Sequence, residues 1–562
     1  MSGPLEFDTI IVGAGSAGCL LANRLSAQRG QRILLIEAGG EDDWFWIKIP
    51  VGYLFTIANP RTDWCFQTQP EPGLANRSIH YARGRVLGGC SSINAMIYMR
   101  GQSHDYDQWA DLTGDDRWRW NGEHGQTLSI YKDLENYFAG PNNWHGSGGE
   151  MRVETPRVKW KILDAWQQAA SEYGIPTIEE FNRGDNQGCA YFHVNQRRGR
   201  RWSMADAFLH PIRHRENLSV FTHTQTLQVL FEENRERRPS DTLAWANAGL
   251  RARGVRLLKD GQIIEARARK EVILSAGAIG SPHILQASGI GDPKHLGQFY
   301  IPVRQALSGV GQNLQDHLQI RTVFKIKNAR TVNSLYANPL TRVGMALQYG
   351  LLRRGPMTMP PSTLGAFTKS DPSQPSANLE WHIQPLSLPK FGEPLHDFDA
   401  ITPSVCNLRP SSRGQVLLQH SDPLQPPSIQ CNYLSTPEDL AIAVKGIEAT
   451  RAIMSAQALS SFEPEEILPG PSKVSEKDLQ QAARELGTTI FHPVGTCSMG
   501  RIDEQGHSDN PLTVLDKSFR LRGVAGLRVV DASAMPSITS GNTNAPVMLM
   551  AERAARDILS SR

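Results

Sequence analysis

Several features are scarce or missing in this chain, and each absence narrows what it can be. No apolar run approaches the ~18 residues a membrane-crossing helix requires, so no transmembrane segment is expected. The seven cysteines (Cys19, Cys65, Cys90, Cys189, Cys406, Cys431 and Cys497) include no Cys-x-x-Cys pair. Their odd number and scatter argue for free thiols in a reducing compartment, and no metal site is expected. Charge of one sign is lacking too: the net charge is +3, too weak to select nucleic acid as a partner. The basic stretch Arg197-Arg198-Gly199-Arg200-Arg201 has no interleaved aromatics and reads as a solvated or phosphate-facing loop. No Gly-x-Ser-x-Gly elbow occurs, so Ser533 and His492 make no serine-hydrolase triad. No apolar stretch precedes Phe7, so no signal peptide is expected. A cytoplasmic location follows as the expectation, with peripheral membrane contact left open.

What is present points to a large α/β protein. The chain has 562 residues, 40% hydrophobic and 20% charged, enough for two or three domains around a sizeable core. The stretch Thr9-Ile10-Ile11-Val12-Gly13-Ala14-Gly15-Ser16-Ala17-Gly18 reads as a buried strand, a glycine turn and a helix. A second strand, Arg32 to Ile36, then delivers Glu37. This is a dinucleotide-binding βαβ unit. Gly13 permits the tight turn, Gly15 lets a pyrophosphate approach the backbone, and Gly18 lets the helix pack on the strand. The helix N-terminus offers free N–H groups to phosphates. Glu37 suits ribose hydroxyls and opposes a 2′-phosphate. The motif alone leaves FAD and NAD open.

Further along, Arg83 to Met96 is glycine-dense, and its second half predicts a helix starting near Ser91 or Ser92. Helical periodicity covers Trp160 to Tyr173 and Ala545 to Leu559. Leu218–Thr222 and Val255–Leu258 alternate like strands, with a charged loop from Glu232 to Ser240 between them. Glu271–Leu274 and Leu527–Val530 are again strands ending in small-residue turns. Three such turns, far apart in sequence, suit one ligand crevice at the strand carboxyl ends of a doubly wound sheet. The aromatic triplets Trp44-Phe45-Trp46 and Trp64-Cys65-Phe66 read first as core, with a substrate entrance or cation cage as the alternative.

Four motifs together resemble the glucose–methanol–choline (GMC) oxidoreductase family over nearly the whole chain. They are the N-terminal fingerprint with Glu37; Arg83 to Asn94; Gly277 to Gly291 followed by Val310 to His317; and His492 to Gly500 followed by Asp531-Ala532-Ser533 and Gly541 to Pro546. The resemblance is strongest to choline-dehydrogenase-like and primary or aryl alcohol dehydrogenases and oxidases. It implies an α/β fold with an α+β second domain: a Rossmann-like FAD-binding domain built from discontinuous segments, and an inserted substrate-binding domain with an antiparallel sheet and helices. The expected division is 5–40, 73–150, 200–317 and 485–562 for FAD, and 41–72, 151–199 and 318–484 for substrate and lid. The polar segments 121–130 and 235–248 are expected to be surface elaborations.

The resemblance also assigns residues. It gives FAD contacts to Gly13, Gly15, Ser16, Ala17, Gly18, Glu37 and Ala38, and to Arg83, Val86, Leu87, Gly88, Gly89 and Ser91. Asn94, Ala95, Met96 and Ile97 are expected near the flavin ring, and Thr226, Ala276 and Gly277 near the adenine. Asp531 and Ala532 are expected at the ribityl or pyrophosphate region, and Asn544 and Ala545 at the flavin's pyrimidine edge. Covalent members carry a histidine where this chain has Ile93, which implies non-covalent FAD.

Oxidising an alcohol removes a hydroxyl proton and a hydride, and the hydride goes to flavin N5. His492 matches the family's base, and a neutral imidazole suits that task near pH 7. Asn542 matches the position of its hydrogen-bonding partner. The expected reaction is oxidation of a primary aromatic, furanic or aliphatic alcohol to an aldehyde, with dioxygen, a quinone or another carrier as final acceptor. Choline dehydrogenation is one alternative, reading Glu380-Trp381-His382 as part of a cation site. A flavin-retaining lyase or photodecarboxylase is the other.

Overall fold

The structure is a computed structural model that describes residues 5–233, 249–389, 393–503 and 505–560. The polar segment 235–248 falls outside the described residues save for its neighbour Gly249.

Two eight-stranded sheets organise the chain. The first is mixed. Leu5–Val12 lies between Ile33–Ile36 and Gln262–Leu274, parallel to both, and Leu218–Phe221 extends the parallel part beyond Ile33–Ile36. Ile33 to Ile36 is an unbroken apolar run because both faces of this strand are covered. The 13-residue strand Gln262–Leu274 serves two purposes. Its first half closes an antiparallel meander with Leu250–Lys259 and Thr224–Glu233. Its second half runs parallel to Leu527–Val529, bringing the end of the chain into the sheet of its beginning. Helices Ser16–Leu25 and Asn544–Ser560 pack against each other on this sheet, and Ala545 to Ala555 of the latter are all buried. Arg24 of the first helix donates to Glu552 of the second at 2.8 Å.

The second sheet is antiparallel, in the order Glu465–Leu468, Val323–Lys325, Ala400–Asn407, Leu379–Gln384, Leu364–Thr368, Gly188–Tyr191. Its central strand, Leu379–Gln384, is buried throughout. The strand's alternation decides what each side chain meets. Trp381 points to the helix side, where its indole donates to Thr450 of helix Pro437–Met454. Glu380, His382 and Gln384 share the other face. Each sheet has its own apolar core. Met151 and Val153 join the first core, and Leu74, Ile79 and Tyr81 the second, so the chain crosses between the two more often than the sequence division 73–150 and 151–199 implies.

Some local expectations change. Gly89–Ser92 is one short 3₁₀ turn, not the start of a helix. The chain must run on in extended form here, and Met96 takes a left-handed backbone (φ 60°) that a helix excludes. Residues 121–126 are exposed turns as expected. From Thr127, however, a helix to Leu134 buries Ile130, Tyr131 and Leu134 in the first core. Among the described residues, no helix is long and apolar enough to cross a membrane.

Candidate active site

The strand Leu5–Val12 ends at Gly13, whose φ is +100°. A Cβ there would stand 2.4 Å from the Ser275 carbonyl oxygen, so side chains are excluded twice over. A Cβ on Gly18 would lie 1.9 Å from the Gly13 carbonyl oxygen, which is the close helix–strand packing expected of it. Gly15 precedes helix Ser16–Leu25 with no side-chain cap, so that helix end presents its N–H groups to a cavity of about 730 Å³. Gly13, Gly15, Ser16, Ala17, Glu37 and Ala38 line that cavity. Glu37 is buried and accepts from the N–H groups of Ala14 (3.0 Å) and Gly39 (2.9 Å). Burial pushes its carboxyl up to about 7. Ser16 donates to Asn544 at 2.7 Å, joining the first glycine turn to the last helix.

The second glycine segment docks onto the first. The Gly88 N–H donates to the Ala14 carbonyl (2.8 Å), and a Cβ on Gly89 would meet the Gly15 Cα at 2.7 Å. Arg83, Gly89, Asn94, Ala95, Met96 and Ile97 reach the cavity wall. Val86, Leu87, Gly88 and Ser91 do not. Leu87 is core, and Ser91 supports the turn from behind, donating to the Gly88 carbonyl (2.6 Å) and accepting from the Met204 N–H (2.9 Å). Ala545 is likewise core rather than wall. Arg201, expected in a solvated loop, is buried. It donates to the carbonyls of Ile47 (3.0 Å) and Ser91 (3.1 Å) and to Asn94 Oδ1 (2.8 Å), fixing the segment that lines the cavity. Burial lowers its pKa to about 9.

Thr226, Ala276 and Gly277 line the far end with Ser275. The buried hydroxyls of Thr226 and Ser275 have no partner among the described residues, which marks this end as built for a polar ligand. Asp531 and Ala532 also reach the wall. The Asp531 carboxylate accepts from the Gly277 N–H (2.9 Å), Ser281 (2.6 Å) and Ser533 (2.5 Å). It therefore ties its own turn to the start of helix Gly277–Ala287, and its burial raises its pKa.

At the other end His492 and Asn542 face the same space. Asn542 Nδ2 donates to His492 Nε2 at 3.0 Å. His492 Nδ1 lies 3.0 Å from His317 Nδ1, and His317 Nε2 lies 3.0 Å from the Leu408 carbonyl oxygen. The partners assign the protons. A carbonyl only accepts, so His317 carries its proton on Nε2 and accepts at Nδ1. His492 then donates from Nδ1, and its Nε2 lone pair accepts from Asn542 at the cavity wall. Burial lowers the pKa of both imidazoles, and for His492 the neighbouring His317, His382 and Arg83 add to it, so both are neutral at pH 7.

Behind this pair sits Asp316. It accepts from Tyr81 (2.8 Å), Thr489 (2.6 Å), Tyr433 and the His492 backbone N–H (2.8 Å). Asp316 and His317 belong to a motif visible in the sequence, yet their contact with His492 spans 176 and 175 positions and needed the fold. The aromatic triplets are not fully buried, although Phe66 packs against the second core. Trp64 and Phe66 line the cavity as a stacked pair (5.6 Å), and Phe45 is 56% exposed. Glu380 does not reach the wall. Its Oε1 lies 2.9 Å from His382 Nε2 without hydrogen-bond geometry, and His382 does reach the wall, together with the neutral Gln319 and Gln384.

A mixed dinucleotide-type sheet, an antiparallel sheet, and one long cavity with an imidazole at its end define a flavoenzyme-like oxidoreductase. The comparisons give the family. The GMC oxidoreductase family model matches residues 7–319 with its N-terminal part and 410–551 with its C-terminal part. An alcohol dehydrogenase (acceptor) of Pseudomonas putida is 37% identical over 558 residues, covering 98% of this chain and 96% of that protein. The mitochondrial choline dehydrogenase of Mus musculus is 35% identical, covering 98% and 89%. Among solved structures, pyridoxine 4-oxidase from Mesorbium loti superposes with a TM-score of 0.85 at 29% identity, covering 99% of each chain. The chain belongs to the GMC oxidoreductase family and is an FAD-dependent enzyme acting on CH–OH groups. The residues present fit FAD: a glycine cradle that any Cβ would fill, an uncapped helix end, Glu37, and unpartnered hydroxyls at Thr226 and Ser275.

Proposed function

We propose that this protein oxidises a neutral primary alcohol to an aldehyde, with non-covalent FAD and with His492 as the base. The observation that carries this reading is the hydrogen-bonded chain Leu408–His317–His492–Asn542, which leaves a neutral imidazole at the cavity wall whose Nε2 lone pair accepts from Asn542 until a substrate hydroxyl takes the place of that N–H. When bound, FAD supplies the hydride acceptor. Gly13, Gly15 and Ser16 would hold its pyrophosphate, Glu37 its ribose, and Thr226 its adenine end. His492 Nε2 takes the hydroxyl proton. Asn542, with a second amide hydrogen available, hydrogen-bonds the substrate oxygen and does not compete for the proton. His317 keeps His492 in the productive tautomer, and the apolar surroundings keep it uncharged until then. Ile93 offers no side chain for a covalent flavin link. The segments 5–40, 73–150, 200–317 and 485–562 are proposed as the cofactor-binding part, except that Leu74, Ile79 and Tyr81 pack in the second core and Met151 and Val153 in the first, with the antiparallel sheet carrying the substrate wall.

A neutral substrate is favoured over choline by charge. Trp64 and Phe66 give an aromatic wall, but beside them stand Gln319, His382 and Gln384, and Glu380 is screened behind His382. A quaternary ammonium binds best where aromatic faces are joined by a carboxylate. The test is anaerobic titration with benzyl alcohol, hydroxymethylfurfural, 1-octanol and choline, following the flavin absorption. Bleaching by a neutral alcohol supports the reading, and admitting air then separates oxidase from dehydrogenase. Bleaching by choline alone overturns the substrate class. No bleaching by any alcohol favours the lyase or photodecarboxylase alternative.

A further inference from the structure

The helix Pro339–Leu352 is built inside out. Its apolar residues Leu340, Val343, Leu347 and Leu351 recur at spacings of three and four, so they share one face. That face is turned to solvent: they are 82%, 59%, 59% and 81% exposed, and Leu352 is 62% exposed. Tyr349 is the helix's one buried residue. A water-soluble surface does not otherwise gather large aliphatic side chains in this way.

The charge around the helix is mainly of one sign, with Glu154 beside the hairpin accepting from the Arg198 N–H (3.1 Å) and lying 3.9 Å from Arg157. Between Asp316 and Asp371 the sequence has no Asp or Glu and eight Lys or Arg. Arg342, Arg353 and Arg354 lie on the helix or directly after it, and among the described residues none of them pairs with a carboxylate. Arg342 and Arg353 instead stack on Tyr336 and Tyr349. The basic hairpin Arg197–Arg200 packs at the helix's C-terminal end. A Cβ on Gly199 would stand 2.5 Å from the Arg353 carbonyl oxygen, and Arg157 donates to that same oxygen at 3.3 Å. Arg197, Arg198 and Arg200 are all exposed. The hairpin whose purpose the sequence left open thus sits beside the exposed apolar face.

An aliphatic stripe flanked mainly by arginines is complementary to an interface that is apolar inside and anionic at its surface. We propose that Pro339–Leu352, with the arginine hairpin 197–200, docks the protein on the headgroup region of an anionic lipid bilayer. The geometry extends the surface toward the cavity wall. The turn Pro356–Thr358 follows the helix, packs against Pro50–Gly52, and leads to Pro361 and Ser362 on the cavity wall. Beside Pro50–Gly52, Phe45 and Phe55 are 56% and 40% exposed. Docking here sets the part of the cavity wall formed by Pro361 and Ser362 on the side of the lipid, independently of which alcohol is oxidised.

The test is co-sedimentation of the FAD-loaded protein with vesicles of phosphatidylcholine alone or with about one third phosphatidylglycerol, alongside sedimentation velocity of the free protein. The expected result is binding to the anionic vesicles, weakened by 0.5 M salt (a Debye length below ~5 Å). Leu347→Glu with Leu351→Glu is expected to lower the partition roughly tenfold or more, and Arg353→Glu with Arg354→Glu comparably. All four side chains are away from the cavity, so flavin content and alcohol turnover in detergent-free buffer should stay unchanged, which separates lost docking from lost folding. No binding to anionic vesicles, or binding that both double variants retain, overturns the proposal. A wild-type dimer that Leu347→Glu with Leu351→Glu converts to monomer, without vesicle binding, assigns the face to a second copy of the chain instead.

Discussion

His317 Nδ1 and His492 Nδ1 stand 3.0 Å apart, rings nearly perpendicular at 80°, with the Leu408 carbonyl closing the far side of His317. One carbonyl oxygen thereby dictates the tautomer of an imidazole two residues further along the chain of hydrogen bonds.

The two histidines should differ in what they cost when removed. His492→Ala deletes the base and is expected to lower the rate of flavin reduction by roughly 10²–10⁴-fold. His317→Ala leaves the base but frees its tautomer, and should cost about 10–10²-fold in the same rate. The check is anaerobic stopped-flow reduction of both variants at matched flavin content. Equal losses would mean that His317 does more than position His492.

The depressed pKa of His492 sets the acid limb of activity. Because only the neutral imidazole accepts a proton, kcat/KM should hold its plateau down through pH 6.5 and fall only below it. His317→Ala removes one of the groups that lowers this pKa, so its limb should move to higher pH. A wild-type limb above pH 6.5 would contradict the buried, uncharged setting.

Stability should fall on acidification. Burial holds His193 and His283 at about 4, and His317 and His492 below the ordinary 6.5. As pH drops through 6.5 the unfolded chain takes up protons that the folded chain refuses, and the fold loses that difference down to the folded values. Glu37, raised to about 7, acts with the opposite sign, stabilising below 4.5 and losing that as pH rises to 7. Asp531, Glu71 and Asp516, also raised by burial, and His145, raised despite its burial by Glu135 and Glu180, act with Glu37. The four histidines, two of them held as low as about 4, are expected to outweigh these, so Tm should decrease from pH 7 to pH 4.5. A level or rising Tm would count against neutral buried histidines.

Asp316→Asn keeps the shape and removes the charge. Four donors converge on this carboxylate, and an amide turns an N–H toward at least one of them. The expected destabilisation is about 1–3 kcal/mol, with a slower reduction rate because a neutral amide oxygen holds the His492 backbone N–H less strongly than the carboxylate does. Urea unfolding beside stopped-flow reduction measures both.

Gly13→Ala should release the cofactor. Its φ of +100° and the 2.4 Å approach to the Ser275 carbonyl force the turn to shift. The expected product is a folded but flavin-poor protein, read from the absorbance ratio after gel filtration.

Much of this protein was legible in its residues. The fingerprint Gly13–Gly18 with Glu37, the second glycine segment, and His492 with Asn542 each carry a local chemical reason for being where they are. Turns that need glycine, and strands covered on both faces, are written in short stretches of chain. That is why the α/β class, the family and the cavity's two ends followed from sequence. Tertiary structure decided what depends on which distant segments meet. It turned Ser91, Val86, Leu87 and Ala545 to the supporting side of the wall, took Arg201 out of solvent, and set Trp64 and Phe66 half-buried on the cavity wall. It also placed Glu380 behind His382, and brought His317 and Asp316 to His492. The helix Pro339–Leu352 shows the same division: its apolar periodicity is in the sequence, but periodicity states only that a helix has an apolar face. Whether that face meets a core or the solvent is settled by what packs against it, and here only Tyr349 is covered.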